Sequence, residues 1–173
     1  TYDSIPNIVE GYMQGINKIT GRDYHIFNYY GAEDAERVIV MMGSACECAK
    51  EVVDYLTAQG EKVGLLQIHL FRPFDIQYFL NTLPKTVKKI TAMDRSKEPG
   101  AIGGAVYLDT CAALEGQANA PAVYGGRYGI AGRDVTPAQI KAVYDNMKDE
   151  NAKKMFTIGL VDDVTHLSLD VHE

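Results

Sequence analysis

The feature that most constrains this fold is an unbroken apolar run, Val38 to Met42, which Gly43 ends and a helical pattern directly follows. Five consecutive apolar residues without alternation are typical of a strand buried on both faces of a parallel sheet. In the helical pattern, Ser44 and Glu47 have the spacing of a capping box, and Gly60 is placed to end the helix. This β-turn-α unit predicts an α/β fold, because parallel strands are joined by crossover helices.

The rest of the chain continues the alternation of strands and helices. Further strands are predicted at Val63 to Leu70, Val87 to Met93, Ala122 to Tyr124 and Phe156 to Val161. Further helices are predicted from Asp75 to Leu80, from Ala105 to near Gly116, and after the capping box Thr136-Pro137-Ala138-Gln139. The weakly alternating stretch Tyr24 to Tyr30 fits either an edge strand or an extended linker. We expect a mostly parallel, doubly wound sheet of about five strands with helices on both faces.

A helical arm precedes this sheet. Its apolar residues form one predicted stripe: Ile5, Ile8, Val9, Tyr12, Met13, Ile16 and Ile19. We expect the stripe to pack against the same domain, and the alternative is that it bridges to a neighbouring domain or subunit. The predicted organisation is an arm and linker over residues 1–36, an α/β domain over 37–161 and a tail over 162–173 that leads to a next domain. An opening of this kind favours a piece of a longer protein.

Composition excludes several classes of function. With 17 Lys plus Arg against 23 Asp plus Glu, the formal charge is -6, which argues against a surface that tracks the phosphates of nucleic acid. No apolar run approaches the roughly 20 residues that span a bilayer, so we expect no membrane association. Three cysteines at low density do not indicate a secreted disulfide scaffold. The expected location is the cytoplasm.

Motifs for catalysis and metal binding do not occur in the sequence. It has no dinucleotide fingerprint, phosphate-binding P-loop, nucleophile elbow or zinc-protease helix, and its four histidines are scattered. We therefore assign no catalytic residue and no metal site. Cys46 and Cys48 fit core positions, with Cys48 towards the buried face, and the alternative is a thiol of low pKa at the helix start. Asp162, Asp163 and His166 fit solvated groups better than metal ligands.

Three places carry weaker binding hypotheses. Gly43, Ser44 and Ala45 begin a helix, where backbone N–H groups and the helix dipole favour an anion, although an ordinary strand-to-helix turn needs the same residues. The stretch Gly125 to Gly129 brings Arg127 to a phosphate or a partner's carboxylate, or is only a flexible loop. Arg72 follows a strand, where it serves function or ties a neighbouring loop, and we favour the tie.

Five blocks of this sequence resemble, in order, blocks of the pyruvate:ferredoxin oxidoreductase family. They are Arg37 to Glu47, Leu70 to Phe74, Asp94 to Gly100, Tyr124 to Gly129 and Phe156 to His166. The resemblance extends from about Tyr2 to Leu169. It corresponds to the second domain of that large enzyme, which is similar to the C-terminal domain of transketolases.

The resemblance implies a non-catalytic core domain. Members of the family convert pyruvate, coenzyme A and oxidised ferredoxin to acetyl-CoA, carbon dioxide and reduced ferredoxin, or use flavodoxin as acceptor. They use thiamine diphosphate, magnesium, 4Fe-4S clusters and coenzyme A, and we expect none of these cofactors on this segment, which lacks Gly-Asp-Gly and cysteine clusters. The implied partners are the remaining domains of the parent chain and a second subunit of a homodimer. The alternative is a free-standing domain that binds a small ligand or an anion at Gly43 and Ser44.

Overall fold

The structure, a computed structural model, describes residues 2–161 and 164–171 and forms a layered α/β fold. Its strands are β1 (Phe27–Gly31), β2 (Arg37–Met42), β3 (Val63–Ile68), β4 (Lys89–Asp94), β5 (Ala122–Arg127) and β6 (Met155–Thr157). Its α-helices are α1 (Ile5–Thr20), α2 (Ala45–Ala58), α3 (Ile76–Thr82), α4 (Ala105–Leu114) and α5 (Pro137–Lys148). Short 3-10 turns lie at Tyr2–Ser4 and Ile130–Gly132.

The six strands form one sheet in the order β1-β3-β2-β4-β5-β6. All neighbouring pairs are parallel except β1 with β3, which pair antiparallel with Phe27 opposite Ile68 and Gly31 opposite Gly64. The predicted mostly parallel α/β class is confirmed. The strand beyond the expected five is β1, so the stretch that fitted an edge strand or a linker is an edge strand.

The sheet is covered on both faces, as predicted. Val38 to Met41 of the apolar run are fully buried and Met42 is partly buried. Ile39 and Met41 face one hydrophobic cluster, while Val38 and Val40 face the other. Helices α2 and α5 pack in the first cluster, and α3 and α4 pack in the second. A strand covered on both sides needs apolar residues at every position, which explains the absence of alternation in this run.

Strand β5 is longer than predicted. It continues through Gly125, Gly126 and Arg127, so the prediction of a loop that starts at Gly125 is wrong for these three residues. The binding of a phosphate or a partner's carboxylate by Arg127 stays a prediction. A Cβ atom on Gly126 would lie 2.4 Å from the Met93 sulfur, and one on Gly125 would lie 2.6 Å from the end of the Met155 side chain. The two glycines therefore make room for neighbouring side chains in the packed sheet.

The two predicted capping boxes have different outcomes. At α5, the Gln139 N–H donates to the Thr136 Oγ1 at 3.3 Å and the Thr136 N–H donates to the Gln139 Oε1 at 3.3 Å, so this box is confirmed. At α2, Ser44 makes no capping bond with its side chain, so that box is wrong. Thr136 has extended backbone angles, φ -105° and ψ 155°, whereas Ser44 is already helical at φ -64° and ψ -26°. A side-chain cap requires the extended conformation.

Because only Thr136 caps its helix, alanine substitutions at Thr136 and Ser44 are expected to lower the free energy of unfolding by different amounts. Thr136→Ala is expected to lower the free energy of unfolding by about 1 kcal/mol, because it leaves the first turn of α5 without its acceptor. The matched change Ser44→Ala is expected to cost less than about 0.5 kcal/mol, since it removes no capping bond. Urea unfolding of both variants measures the difference, and equal losses would contradict the assignment of the caps.

Helix α1 packs on its own domain through one side only. Val9 and Met13 contact the second hydrophobic cluster, Glu10 is buried, and the Tyr78 hydroxyl donates to the Asn7 Oδ1 at 2.8 Å. Other members of the predicted stripe remain exposed: Ile8, Tyr12, Ile16 and Ile19. The predicted contact with the same domain is therefore present, but the single buried stripe is wrong.

The segment after β6 returns to the sheet. The Leu169 N–H donates to the Thr157 carbonyl at 2.9 Å, and Ser168 forms an isolated bridge with Thr157. The domain boundaries at residues 36 and 161 stay predictions. Within the described ranges, no helix has the length and apolar character to cross a bilayer.

Candidate functional site

A crevice of about 650 Å³ lies at the carboxyl edge of the sheet. Strand β2 continues through α2 to β3 on one side, whereas β4 lies on the other side of β2 and leads on to β5. The carboxyl ends of β2 and β4 thus diverge at a topological switch point, where open α/β sheets bind their ligands. This geometry makes the crevice the candidate functional site.

The predicted anion residues Gly43, Ser44 and Ala45 line this crevice. Gly43 has a φ of 84°, which lets the chain turn sharply from β2 into α2. The amides of Cys46 and Glu47, which follow these three residues, are already used within the turn. The Cys46 N–H donates to the Gly43 carbonyl at 3.1 Å, and the Glu47 N–H donates to the Ser44 carbonyl at 3.2 Å. An anion would therefore depend on the amides of residues 43–45, and this site stays a prediction.

Sequence reasoning missed Asp94, the central polar group of the crevice. It ends β4 and is only 4% exposed, and its two carboxylate oxygens accept from the Val106 N–H at 2.8 Å and the Tyr107 N–H at 3.1 Å. Burial raises the pKa of Asp94, against the opposing effect of these two hydrogen bonds. Asp94 thus occupies the start of α4 as an anionic ligand would. Its position after an apolar strand was the available signal.

Tyr128 was also missed, and it closes the crevice from the side of β5. Its N–H donates to the Asp94 carbonyl at 3.1 Å, and its hydroxyl donates to the Met42 carbonyl at 3.2 Å. Burial raises the pKa of Tyr128 to about 12, so its hydroxyl stays protonated at neutral pH. Its role is to tie the ends of β5, β4 and β2 together.

The thiol at the helix start is a core residue. Cys46 is fully buried, and burial raises its pKa to about 12, which rules out the alternative of a reactive thiolate there. Cys48 is partly buried and packs against the same hydrophobic cluster as Cys46, in line with its predicted place towards the buried face, and its sulfur lies 3.8 Å from the Val135 carbonyl oxygen. The core interpretation is confirmed for both cysteines, with Cys46 the more deeply buried of the two.

Arg72 is held by its neighbours. Its Nη1 lies 2.5 Å from the Asp109 carboxylate on α4, and its guanidinium carbon lies 3.8 Å from the centre of the Phe71 ring. The favoured interpretation as a tie holds, although the partner is a helix and not a loop. Asp162 and Asp163 lie outside the described residues, and no metal-binding group of three His, Cys, Asp or Glu occurs in the ranges that are described.

Comparison with known proteins shows which family this chain matches. Residues 35–140 match the family of pyruvate:ferredoxin oxidoreductase core domain II. The chain is 53% identical over 168 residues to a pyruvate-flavodoxin oxidoreductase of Klebsiella pneumoniae, covering 97% of this chain and 14% of that protein. It is 48% identical over 172 residues to the pyruvate:ferredoxin oxidoreductase of Moorella thermoacetica, covering 99% of this chain and 15% of that protein.

A solved structure shows the same fold. It is the 2-oxoglutarate:ferredoxin oxidoreductase from Magnetococcus marinus with 2-oxoglutarate, coenzyme A and succinyl-CoA bound, which matches with a TM-score of 0.53 and 19% identity over 77% of this chain and 20% of that one. The chain spans about one seventh of the length of the curated relatives it matches. On the family match, this chain belongs to the pyruvate:ferredoxin oxidoreductase core domain II family.

Proposed function

We propose that this chain is a non-catalytic core domain of a longer, cytoplasmic 2-oxoacid:ferredoxin oxidoreductase. The longer protein would oxidise pyruvate with coenzyme A and thiamine diphosphate and pass electrons to ferredoxin or flavodoxin, as a homodimer. The observation that carries the proposal is the match to relatives named for that activity. Two of them match 97% and 99% of this chain, and the matched region is only 14% and 15% of their own length. The domain's own role is to build contacts between domains and subunits.

The chemistry of the crevice supports a structural role. In the crevice, Asp94 is engaged by two backbone amides and the Tyr128 hydroxyl is held neutral. The nearby Cys46 thiol does not line the crevice; it is buried in the hydrophobic core and protonated. A nucleophile needs a base within hydrogen-bond reach, and these three groups provide no such pair. Asp94 and Tyr128 instead connect neighbouring strands and helices, and Cys46 packs in the core.

The residues present do not fit two cofactors of the family, the 4Fe-4S clusters and thiamine diphosphate. A 4Fe-4S cluster takes four cysteine thiolates, whereas this chain has three cysteines. Cys46 packs in the cluster on one face of the sheet and Cys111 packs against the cluster on the opposite face, so these thiols do not converge. The Gly-Asp-Gly sequence of thiamine-diphosphate sites is also lacking. We therefore propose that the iron-sulfur and thiamine-diphosphate sites of the longer enzyme lie on its other domains.

The mass of the native polypeptide tests this proposal. Mass spectrometry of the protein purified from its source is expected to give a polypeptide roughly seven times as long as this chain. Calorimetry of the 173-residue chain with thiamine diphosphate and magnesium is expected to show no binding. A native polypeptide of 19.1 kDa, or micromolar binding of thiamine diphosphate, would contradict the proposal.

A second candidate function is anion binding at Gly43, Ser44 and Ala45, favoured by their place in the crevice at the switch point. Sulfate at about ten times its dissociation constant is expected to stabilise the folded chain by about 1.4 kcal/mol. Ser44→Pro is a suitable control, because the φ of -64° at Ser44 suits proline and the change removes one amide donor. Thermal unfolding of both proteins in sulfate and in chloride of matched ionic strength measures this stabilisation. Equal stabilisation of the wild type and of Ser44→Pro by sulfate would contradict anion binding at this site.

A further inference from the structure

Helix α1 has two apolar faces, and the domain covers only one of them. The covered face contains Val9 and Met13. On the uncovered face Ile8 is 54% exposed, Tyr12 74% and Ile19 87%. A large apolar side chain left in water forfeits the stabilisation that burial provides, so three such residues along one helix indicate a docking surface.

The spacing of this face is that of a helix-packing seam. Its positions alternate three and four residues apart, as in helices that pack along their length, and we call them the α1 seam: Ile5, Ile8, Tyr12, Gly15 and Ile19. This pattern of positions repeats every two helical turns, and a row of side chains on another α-helix can pack against it. The occupant it predicts is therefore a helix.

Two glycines inside α1 support the same conclusion. Gly15 lies in the seam and Gly11 lies beside it, and a Cβ atom built on either would meet nothing within 4 Å in the described part of the chain. Glycine in a helix interior is less stable than alanine, and neither residue has the positive φ that would require glycine. Close approach of another backbone explains both glycines, because only the lack of a side chain permits it.

We propose that the α1 seam receives an α-helix from the part of the longer polypeptide that lies outside residues 1–173. This inference rests on the proposed function, since the relatives carry most of their length outside the matched region. The seam spans only about 21 Å, and one helix pair of that length buries less than the roughly 800 Å² per partner of a standard interface. A segment of the same polypeptide needs less area than a separate second copy, because its effective concentration is high.

Photo-crosslinking in the full-length native polypeptide tests this proposal. The change Tyr12→p-benzoylphenylalanine places the crosslinker in the seam, and Tyr55→p-benzoylphenylalanine on α2, where Tyr55 is 56% exposed, is the matched control. Mass spectrometry is expected to find Tyr12 joined to a peptide outside residues 1–173, with at least about tenfold the yield of Tyr55. Adding Gly15→Leu is expected to reduce that yield several-fold, and adding Gln14→Leu on the polar side is expected to leave it unchanged.

Two outcomes would overturn the seam assignment. One is a yield at Tyr12 no greater than at Tyr55, and the other is a crosslink only to residues 1–173 of a second copy. Ile19→p-benzoylphenylalanine is a second position, so one misfolded variant does not decide the result. A native mass of 19.1 kDa would instead overturn the proposed function itself, whereas a full-size polypeptide without the crosslink overturns only the seam.

Discussion

Asp94→Ala is expected to lower the free energy of unfolding by about 3 kcal/mol. The carboxylate accepts the Val106 and Tyr107 amides at the start of α4, and hydrogen bonds to a charged acceptor contribute about 1.5–3 kcal/mol each. The net loss is smaller than their sum, because burial of the carboxylate, which raises its pKa, offsets part of it. Urea unfolding at neutral pH measures the change.

A control on the same helix separates this buried cap from a surface charge. Asp109 pairs with Arg72, which is 56% exposed, so Asp109→Ala is expected to cost less than about 1 kcal/mol. A loss of stability in Asp94→Ala no larger than in Asp109→Ala would show that the Asp94 carboxylate does not hold α4.

The raised pKa of Asp94 also predicts a pH dependence. Because the folded-state pKa of Asp94 is raised, its ionisation lowers the free energy of unfolding as pH rises through that pKa, and Asp94→Asn is expected to remove this dependence.

Glu10→Ala is expected to destabilise the docking of α1 by about 2–3 kcal/mol. The Glu10 side chain is 8% exposed, accepts the Ile26 N–H at 3.1 Å and contacts the His25 Nδ1. Removing it leaves a buried amide without its acceptor and a histidine without its partner. Gln14→Ala, at an exposed position of the same helix, is expected to change stability by less than about 0.5 kcal/mol. Urea unfolding and hydrogen exchange of the α1 amides report both changes.

The same contact predicts a pH dependence of α1 docking. The hydrogen bond to Glu10 raises the pKa of His25 above its usual value of 6.5, with a smaller contribution from Asp23. A raised folded-state pKa gives stability that is fully present below pH 6.5 and is lost as pH rises through the folded-state pKa. Protection of the α1 amides is therefore expected to decrease from pH 6 towards alkaline pH. Glu10→Gln is expected to flatten this profile, and an unchanged profile in that variant would contradict the assignment.

Local sequence patterns determined the elements whose causes lie within a few residues. The run Val38 to Met42 is apolar at every position, and that alone specifies a strand covered on both faces. Thr136 and Gln139 are three residues apart, so their reciprocal cap was readable before any tertiary contact was known. The family blocks likewise could be recognised from residue order alone, and they indicated the family, which no catalytic motif did.

Only the tertiary structure decided the features that depend on distant residues. The weak pattern of β1 became a strand because Phe27–Gly31 pairs with β3, some forty residues later. Ser44 has the same local spacing as Thr136 but enters its helix with helical angles that exclude a side-chain cap. Asp94 became the cap of α4 because the carboxyl end of β4 meets that helix, whose amides are 12 and 13 residues away. Such partners are brought together by packing, which a local pattern does not encode.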